Sequence, residues 1–309
     1  MLLRLKMLDT PNQRSNHNKP IPVGGGMGFV PVMMLFLWLA EEGAISANFM
    51  IALAFITLVS FADDFRGLWI ITRIAAQAAA LFFIFKTTVP VSLFASLPVW
   101  VNMALAVLGV FWFMNLYNFM DGIDGLAVAE AMAISSGIAL CAHYAGTLDL
   151  IYPAQVVFAA TSAFIFFNWQ RAVIFMGDAG SISLGLILGC MLLKLATSGH
   201  IVAALILPAY FVLDASYTMI AKIRDGKKPW QAHSRHAYQL AVRTKGFSHQ
   251  KTVILISLLN ASLILMAVLS VKYDSYKIVL LILSYACSAL MMRYFMSGQK
   301  NTKAIEYST

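Results

Sequence analysis

Asn118, Asp121 and Asp124 recur at intervals of three in the stretch N-L-Y-N-F-M-D-G-I-D-G-L-A (115–127), between two apolar runs long enough to cross a membrane. On a helix that spacing stacks the three side chains on one face. Gly122 and Gly125 leave room there for a ligand or another backbone. Carboxylates beside an apolar wall are costly unless a cation or a substrate uses them. The alternative is a polar loop between spans, with Asn and Gly supplying turn chemistry.

Three further constellations carry polar chemistry. Asp63 and Asp64 close an apolar run, with Arg66 and Arg73 following. Adjacent carboxylates repel, so one holds its proton to higher pH unless a cation shares them. That suits a general base or a metal neighbourhood, against the plainer reading of a solvated acidic turn. Arg73 either marks topology or holds a phosphate. In F-M-G-D-A-G-S (175–181), Asp178 stands just before a span. It either caps that helix or ligates Mg²⁺ whose remaining ligands are diphosphate oxygens. Phe175 is a core residue or a stacking surface for a base. The loop 222–250 holds His233, Arg235, His236 and His249. It is either a solvated basic loop or a grip on a polyanion such as a diphosphate, and zinc is disfavoured because no cysteine accompanies it. The stretch 8–26 ends in Gly24, Gly25 and Gly26. A glycine backbone beside a phosphate, with Arg14, His17 and Lys19 as anion partners, is one reading; spacing alone favours a juxtamembrane tail.

The elements that must position these residues follow from composition. The 309 residues are 60% hydrophobic and 12% charged, with a mean hydropathy of +0.77, which marks a polytopic membrane protein. Ten apolar segments are expected to be helical spans: 26–41, 47–62, 70–86, 99–117, 125–144, 153–168, 180–197, 201–221, 251–271 and 276–296. Glu41 and Glu42 cut the first of them short. With the N-terminus in the cytoplasm, only Lys86, Lys194, Lys272 and Lys277 of the 22 Lys and Arg fall on the far side. The net charge of +8 thus reflects positive cytoplasmic loops, not nucleic-acid binding. Trp38, Trp69, Trp100 and Trp169 fall near span ends, as an interfacial belt requires. Cys141, Cys190 and Cys287 lie in apolar runs and read as small buried hydrophobes. The first residues are too short a run for a signal peptide. The expectation is one all-α membrane domain over residues 1–309, with cytoplasmic loops 1–25, 63–73, 118–125, 168–180 and 222–250 forming an active site on that face. A transporter, the rival class, needs ionisable groups near mid-membrane and traces of an internal repeat. Neither is visible: Glu130 and Asp214 lie inside spans, both close to the cytoplasmic end.

Taken in order, the motifs D-T-P-N-Q-R-S-N-H-N-K-P-I-P-V-G-G-G, F-A-D-D, N-F-M-D-G-I-D-G-L-A, F-M-G-D-A-G-S and the His/Arg loop resemble the polyprenyl-phosphate N-acetylhexosamine-1-phosphate transferase family, of glycosyltransferase family 4 type. The match runs from Asp9 to His249, with two further spans beyond. H-S-R-H-A-Y-Q is most similar to the O-antigen-initiating branch and lacks the consecutive histidines of the peptidoglycan branch. The resemblance implies a phosphotransferase of a bacterial inner membrane. It would pass an N-acetylated sugar-1-phosphate from a UDP-sugar to undecaprenyl phosphate, releasing UMP, in the first membrane step of O-antigen or other envelope polysaccharide synthesis. It also implies Mg²⁺, with Mn²⁺ as a substitute, held by Asn118 and Asp178. Asp63 would deprotonate or orient the lipid phosphate, supported by Asp64 and Asp121. Gly122, Ile123 and Asp124 would line a uridine pocket, Phe175 would stack on uracil, and Arg73, His233, Arg235 and His236 would hold phosphates. Direct attack by the lipid phosphate is favoured over a phospho-aspartyl intermediate. Partners are the two substrates and the bilayer, not nucleic acid, and a homodimer is compatible with the pattern. The family usually carries one more span before its D-x-P motif, which implies a late start or a chain shorter by one helix.

Overall fold

The computed structural model describes residues 7–9, 20–39, 45–86, 91–226 and 236–297. Within them the fold is helical, as long apolar runs with no competing turn residues dictate. The first helix, α1, is Gly26–Trp38, followed by α2 Ala47–Arg66, α3 Ile70–Lys86, α4 Val99–Phe119, α5 Leu126–Ala145 and α6 Ile151–Asn168. Then come α7 Gly177–Leu195, α8 Ile201–Ile206, α9 Ala209–Arg224, the short α10 Ala237–Lys245, α11 His249–Lys272 and α12 Lys277–Met296. Local signals set the ends. Ser46 and Ser248 accept the N–H groups of Phe49 and Lys251 at 3.2 and 3.1 Å, and Gly67 closes α2 with a left-handed φ of 65°.

Helix occupies each of the ten expected segments, with two differences. Among the described residues, seven helical runs are long and apolar enough to cross a bilayer, whereas α1, α3 and α9, with 13, 17 and 16 residues, fall short of such a run. The segment expected at 201–221 is broken at Leu207 and Pro208 into α8 and α9, because proline removes a helical N–H and crowds the preceding turn. Before it, Gly199 (φ 93°) separates α7 from α8.

The core is built around α7, whose residues are nearly all buried. Its glycines admit neighbouring backbones: a Cβ on Gly26 of α1 would collide with Gly180 N and with Ala179 C at 2.6 Å, and one on Gly185 would meet Met114 Cα at 2.8 Å. Helices in lipid gain little from burying apolar surface against each other, so such close packing and buried hydrogen bonds hold the bundle. Thr57 of α2 bonds Ser183 of α7 at 2.8 Å, and Asn115 of α4 donates to Gln77 of α3 at 2.7 Å. The outward faces carry exposed Ile51, Leu58, Leu108, Leu258 and Ile282, a surface suited to lipid. At one end, strand β1 (Leu8–Asp9) pairs antiparallel with β2 (Ile21–Pro22), and Val23 bridges in parallel to Phe175 just ahead of α7.

Candidate active site

Arg73, in the first turn of α3, joins the two acidic motifs that lie furthest apart in sequence. Its Nε stands 2.8 Å from Asp63 Oδ2 at the end of α2, and its Nη2 donates to Asp178 Oδ2 at 2.6 Å at the start of α7. Asp63 Oδ1 also accepts the N–H of Leu68 at 2.6 Å. The neighbouring carboxylate is turned elsewhere, since successive residues on a helix point about 100° apart. Asp64 accepts the N–H groups of Asp178 (2.8 Å) and Ala179 (3.1 Å), so it is the cap of α7, donated across from α2. Gly177, at φ 69°, is pressed against that carboxylate with no space for a Cβ. The sequence left Asp178 either a cap or a ligand; with Asp64 in the capping place, its side chain is free to face Arg73. The two adjacent acids thus face different partners, Asp63 a guanidinium and Asp64 a helix N-terminus.

The 118–125 stretch is not one helix. Helix α4 stops at Phe119 and α5 begins at Leu126, so the three polar side chains fan out instead of sharing a helical face. Asn118, in the last turn of α4, lies with its buried amide beside Asp178. Asp121 is half-buried; burial, with the charges of Asp178 and Asp124 nearby, pushes its carboxyl up to about 7. Asp124 turns away and is 7% exposed. Its Oδ2 accepts from Arg171 N (3.1 Å) and Ala172 N (3.2 Å), and its Oδ1 stands 3.3 Å from His249 Nδ1. Burial alone would raise this acid, but His249 and the two N–H groups outweigh it and hold it below the usual range. The room expected at Gly122 is occupied by protein: Tyr238 Oη and Gln239 Nε2, the latter at 2.7 Å, stand where a Cβ would be. Ile123 is buried and Phe175 half-buried.

Gly25 and Gly26 donate to the carbonyls of Phe175 (2.9 Å) and Met176 (2.8 Å). Their backbone therefore lies beside another backbone, and this seam anchors the segment that delivers Phe175 and Asp178. His233, Arg235, Arg14, His17 and Lys19 fall outside the described residues. His236 is buried at the start of α10, with Nδ1 at 3.3 Å from Asp214 Oδ1.

Asp214 was legible only as an ionisable residue inside a span. In the fold it accepts from Tyr210 Oη (3.2 Å), Thr218 Oγ1 (3.2 Å) and Ala237 N (3.0 Å) in addition to His236, with no exposure. It thereby fixes the entry of α10, which brings Tyr238 within 3.4 Å of Phe119 O at the acid-rich turn. Asp214→Asn halves the acceptors that four donors share. It is expected to cost about 2 kcal/mol, read as a lowered melting temperature in detergent, with Asp214→Ala lower still.

A donor set of carboxylate oxygens with the amide oxygen of Asn118 suits a hard cation. Among the described residues no three His, Cys, Asp or Glu side chains converge to cage an ion by themselves. That is the situation of Mg²⁺ sites, in which substrate phosphates and waters complete the shell.

The chain is similar in sequence to known proteins. Residues 46–196, which contain α2 to α7 and Asp63, Asp64, Asp121, Asp124 and Asp178, match the family described as "Glycosyl transferase family 4". A probable undecaprenyl-phosphate N-acetylglucosaminyl 1-phosphate transferase of Bacillus subtilis is 29% identical over 275 residues, covering 84% of this chain and 75% of that protein. The undecaprenyl-phosphate alpha-N-acetylglucosaminyl 1-phosphate transferase of Yersinia pestis is 26% identical over 287 residues, covering 86% and 78%. A decaprenyl-phosphate N-acetylglucosaminephosphotransferase of Mycolicibacterium smegmatis is 25% identical over 309 residues, covering 84% and 74%.

Proposed function

Because the chain belongs to the polyprenyl-phosphate N-acetylhexosamine-1-phosphate transferases of glycosyl transferase family 4, we propose that it transfers the sugar-1-phosphate of a UDP-N-acetylhexosamine to undecaprenyl phosphate. The observation that carries this reading is Arg73, which draws Asp63 and Asp178 from separate helices to one point at the end of the bundle. An oxygen of the lipid phosphate attacks the phosphorus that bears the sugar. A new P–O–P linkage forms, the bridging bond to the nucleotide breaks, and UMP leaves with that bond's electron pair. Both reactants are anions, so positioning and charge neutralisation supply most of the catalysis.

Asp63 orients the lipid phosphate and takes its proton, with its carboxylate held by Arg73 and Leu68 N. Asn118 and Asp178 would hold Mg²⁺ or Mn²⁺, which supplies neutralisation of the diphosphate charge. Asp64 sets the position of Asp178 by capping its helix, and Asp121 stands close to it. Phe175 lies on the nucleotide side of the site, while Arg73 and the loop carrying His233 and Arg235 answer the phosphates; Gly122 and His236, packed against protein, shape the site from behind. The basic loops favour a cytoplasmic site on a plasma membrane, where a soluble nucleotide meets a lipid head group, as the initiating step of O-antigen or other envelope polysaccharide synthesis. Purified protein with a panel of UDP-N-acetyl sugars and a divalent cation is expected to release UMP only when undecaprenyl phosphate is present, with a lipid-linked sugar diphosphate as co-product. Uptake of labelled UDP-sugar into vesicles without conversion would overturn the reading.

A further inference from the structure

Asp124 and Asn168 tie the two site-bearing loops together. Asn168, the last residue of α6, accepts the N–H of Gly125 at 3.0 Å through Oδ1 and donates to Ile174 O at 3.0 Å through Nδ2. Asp124 Oδ2 takes the N–H groups of Arg171 and Ala172. Among the described residues, Arg171 is the one non-glycine with a positive φ, at 61°. That conformation is disfavoured for a residue with a side chain, and the Asp124 carboxylate is what its N–H meets. The 168–176 bend, which leads directly into Phe175 and Asp178, therefore keeps its shape by leaning on Asp124.

The other oxygen of Asp124 meets His249, the first residue of α11. His249 Nδ1 lies 3.3 Å from both Asp124 Oδ1 and Asp124 N, and the ring is 13% exposed. With Nδ1 protonated the ring donates to the carboxylate; with Nδ1 bare it accepts the Asp124 N–H. In either tautomer it is seated on this one residue. Ser248, which caps α11, and Gly246, which closes α10 with φ 66°, fix the helix start that carries the ring.

We infer that His249 is a positioning residue that acts through Asp124, holding the 168–176 bend against the 121–125 turn and so setting the separation of the two loops that face the nucleotide. Asp124 itself is a clamp between elements: it is buried, and its carboxylate meets Arg171 N, Ala172 N and His249. The inference rests on the transferase reading for its kinetic consequence but not for its geometry. His249→Ala is expected to raise the KM for the UDP-sugar about tenfold and to leave the KM for undecaprenyl phosphate unchanged. Asparagine carries its polar atoms at the reach of Nδ1, so His249→Asn stays within about twofold of the natural protein. Glutamine carries them one bond further, so His249→Gln resembles the alanine variant. Asp124→Asn combined with His249→Ala is no worse than Asp124→Asn alone, because both act on one contact.

Multiplying effects of Asp124→Asn and His249→Ala, or a raised KM in the first with none in the second, would overturn the inference in favour of direct contact between Asp124 and the nucleotide. Melting temperatures of the same four proteins, taken without substrate, decide the clamp separately: non-additive losses support it and additive losses refute it. Should the natural protein transfer no sugar phosphate, the functional reading falls while the melting cycle still settles the contact.

Discussion

Asp178→Asn is expected to abolish UMP release, lowering turnover at least about a thousandfold, while the protein remains folded. Asparagine has nearly the volume of aspartate and keeps an oxygen for Arg73, which retains its second partner, Asp63 Oδ2, at 2.8 Å. Helix α7 also keeps its start, because the capping carboxylate belongs to Asp64 and not to the residue replaced. What disappears is the negative charge facing Arg73 and Asn118, on which the proposed cation binding and the balance of the guanidinium depend. The expected signature is a normal melting temperature with no product at any divalent concentration. UMP release that persists in the variant would remove Asp178 from the metal set. Asp64→Asn separates the roles: it is expected to weaken the α7 cap and lower the melting temperature together with activity, since the side chain works through helix position.

Gly26→Val is the second large effect, and it acts on assembly. A Cβ at Gly26 would overlap the backbone of Ala179 and Gly180, atoms that cannot rotate away. The cost exceeds the ~1–3 kcal/mol of ordinary core overpacking, because two helices must separate. Helices α1 and α7 part at the point where Gly25 and Gly26 bond Phe175 and Met176, so the seam that delivers Asp178 opens as well. The variant is expected to lose the monodisperse peak in detergent chromatography and any cooperative melt. Gly28→Ala, where nothing lies within 4 Å of the added carbon, is the matched control and should change stability by less than about 0.5 kcal/mol. Equal behaviour of the two variants would refute the close-packing role given to Gly26.

Much of the architecture could be read directly from residue types. Long apolar runs bounded by polar loops place helices at the right positions, because the rule that backbone polar groups in lipid must be satisfied internally is local. The break at Leu207 and Pro208 also had a local cause that segment length alone concealed, and α1, α3 and α9 are shorter than a span requires. Acidic and histidine motifs gathered into polar loops pointed to one chemical end. Residues whose role depends on which way a helix is rotated were not legible. Asp63 and Asp64 are chemically identical neighbours, yet one meets Arg73 and the other caps α7. Asp214 looked like a stray charge, and His249 like one cation among four.

In the 118–125 stretch the two kinds of information separate cleanly. Its sequence determined that costly polar groups sit between two membrane-length runs, and hence that they are used. The tertiary structure alone decided how. It ends α4 at Phe119, leaves Asn118 and Asp121 on the side of Asp178, and turns Asp124 toward Arg171, Ala172 and His249. Spacing encodes periodicity within one element, whereas the partner each side chain meets is set by contacts between elements more than forty residues apart.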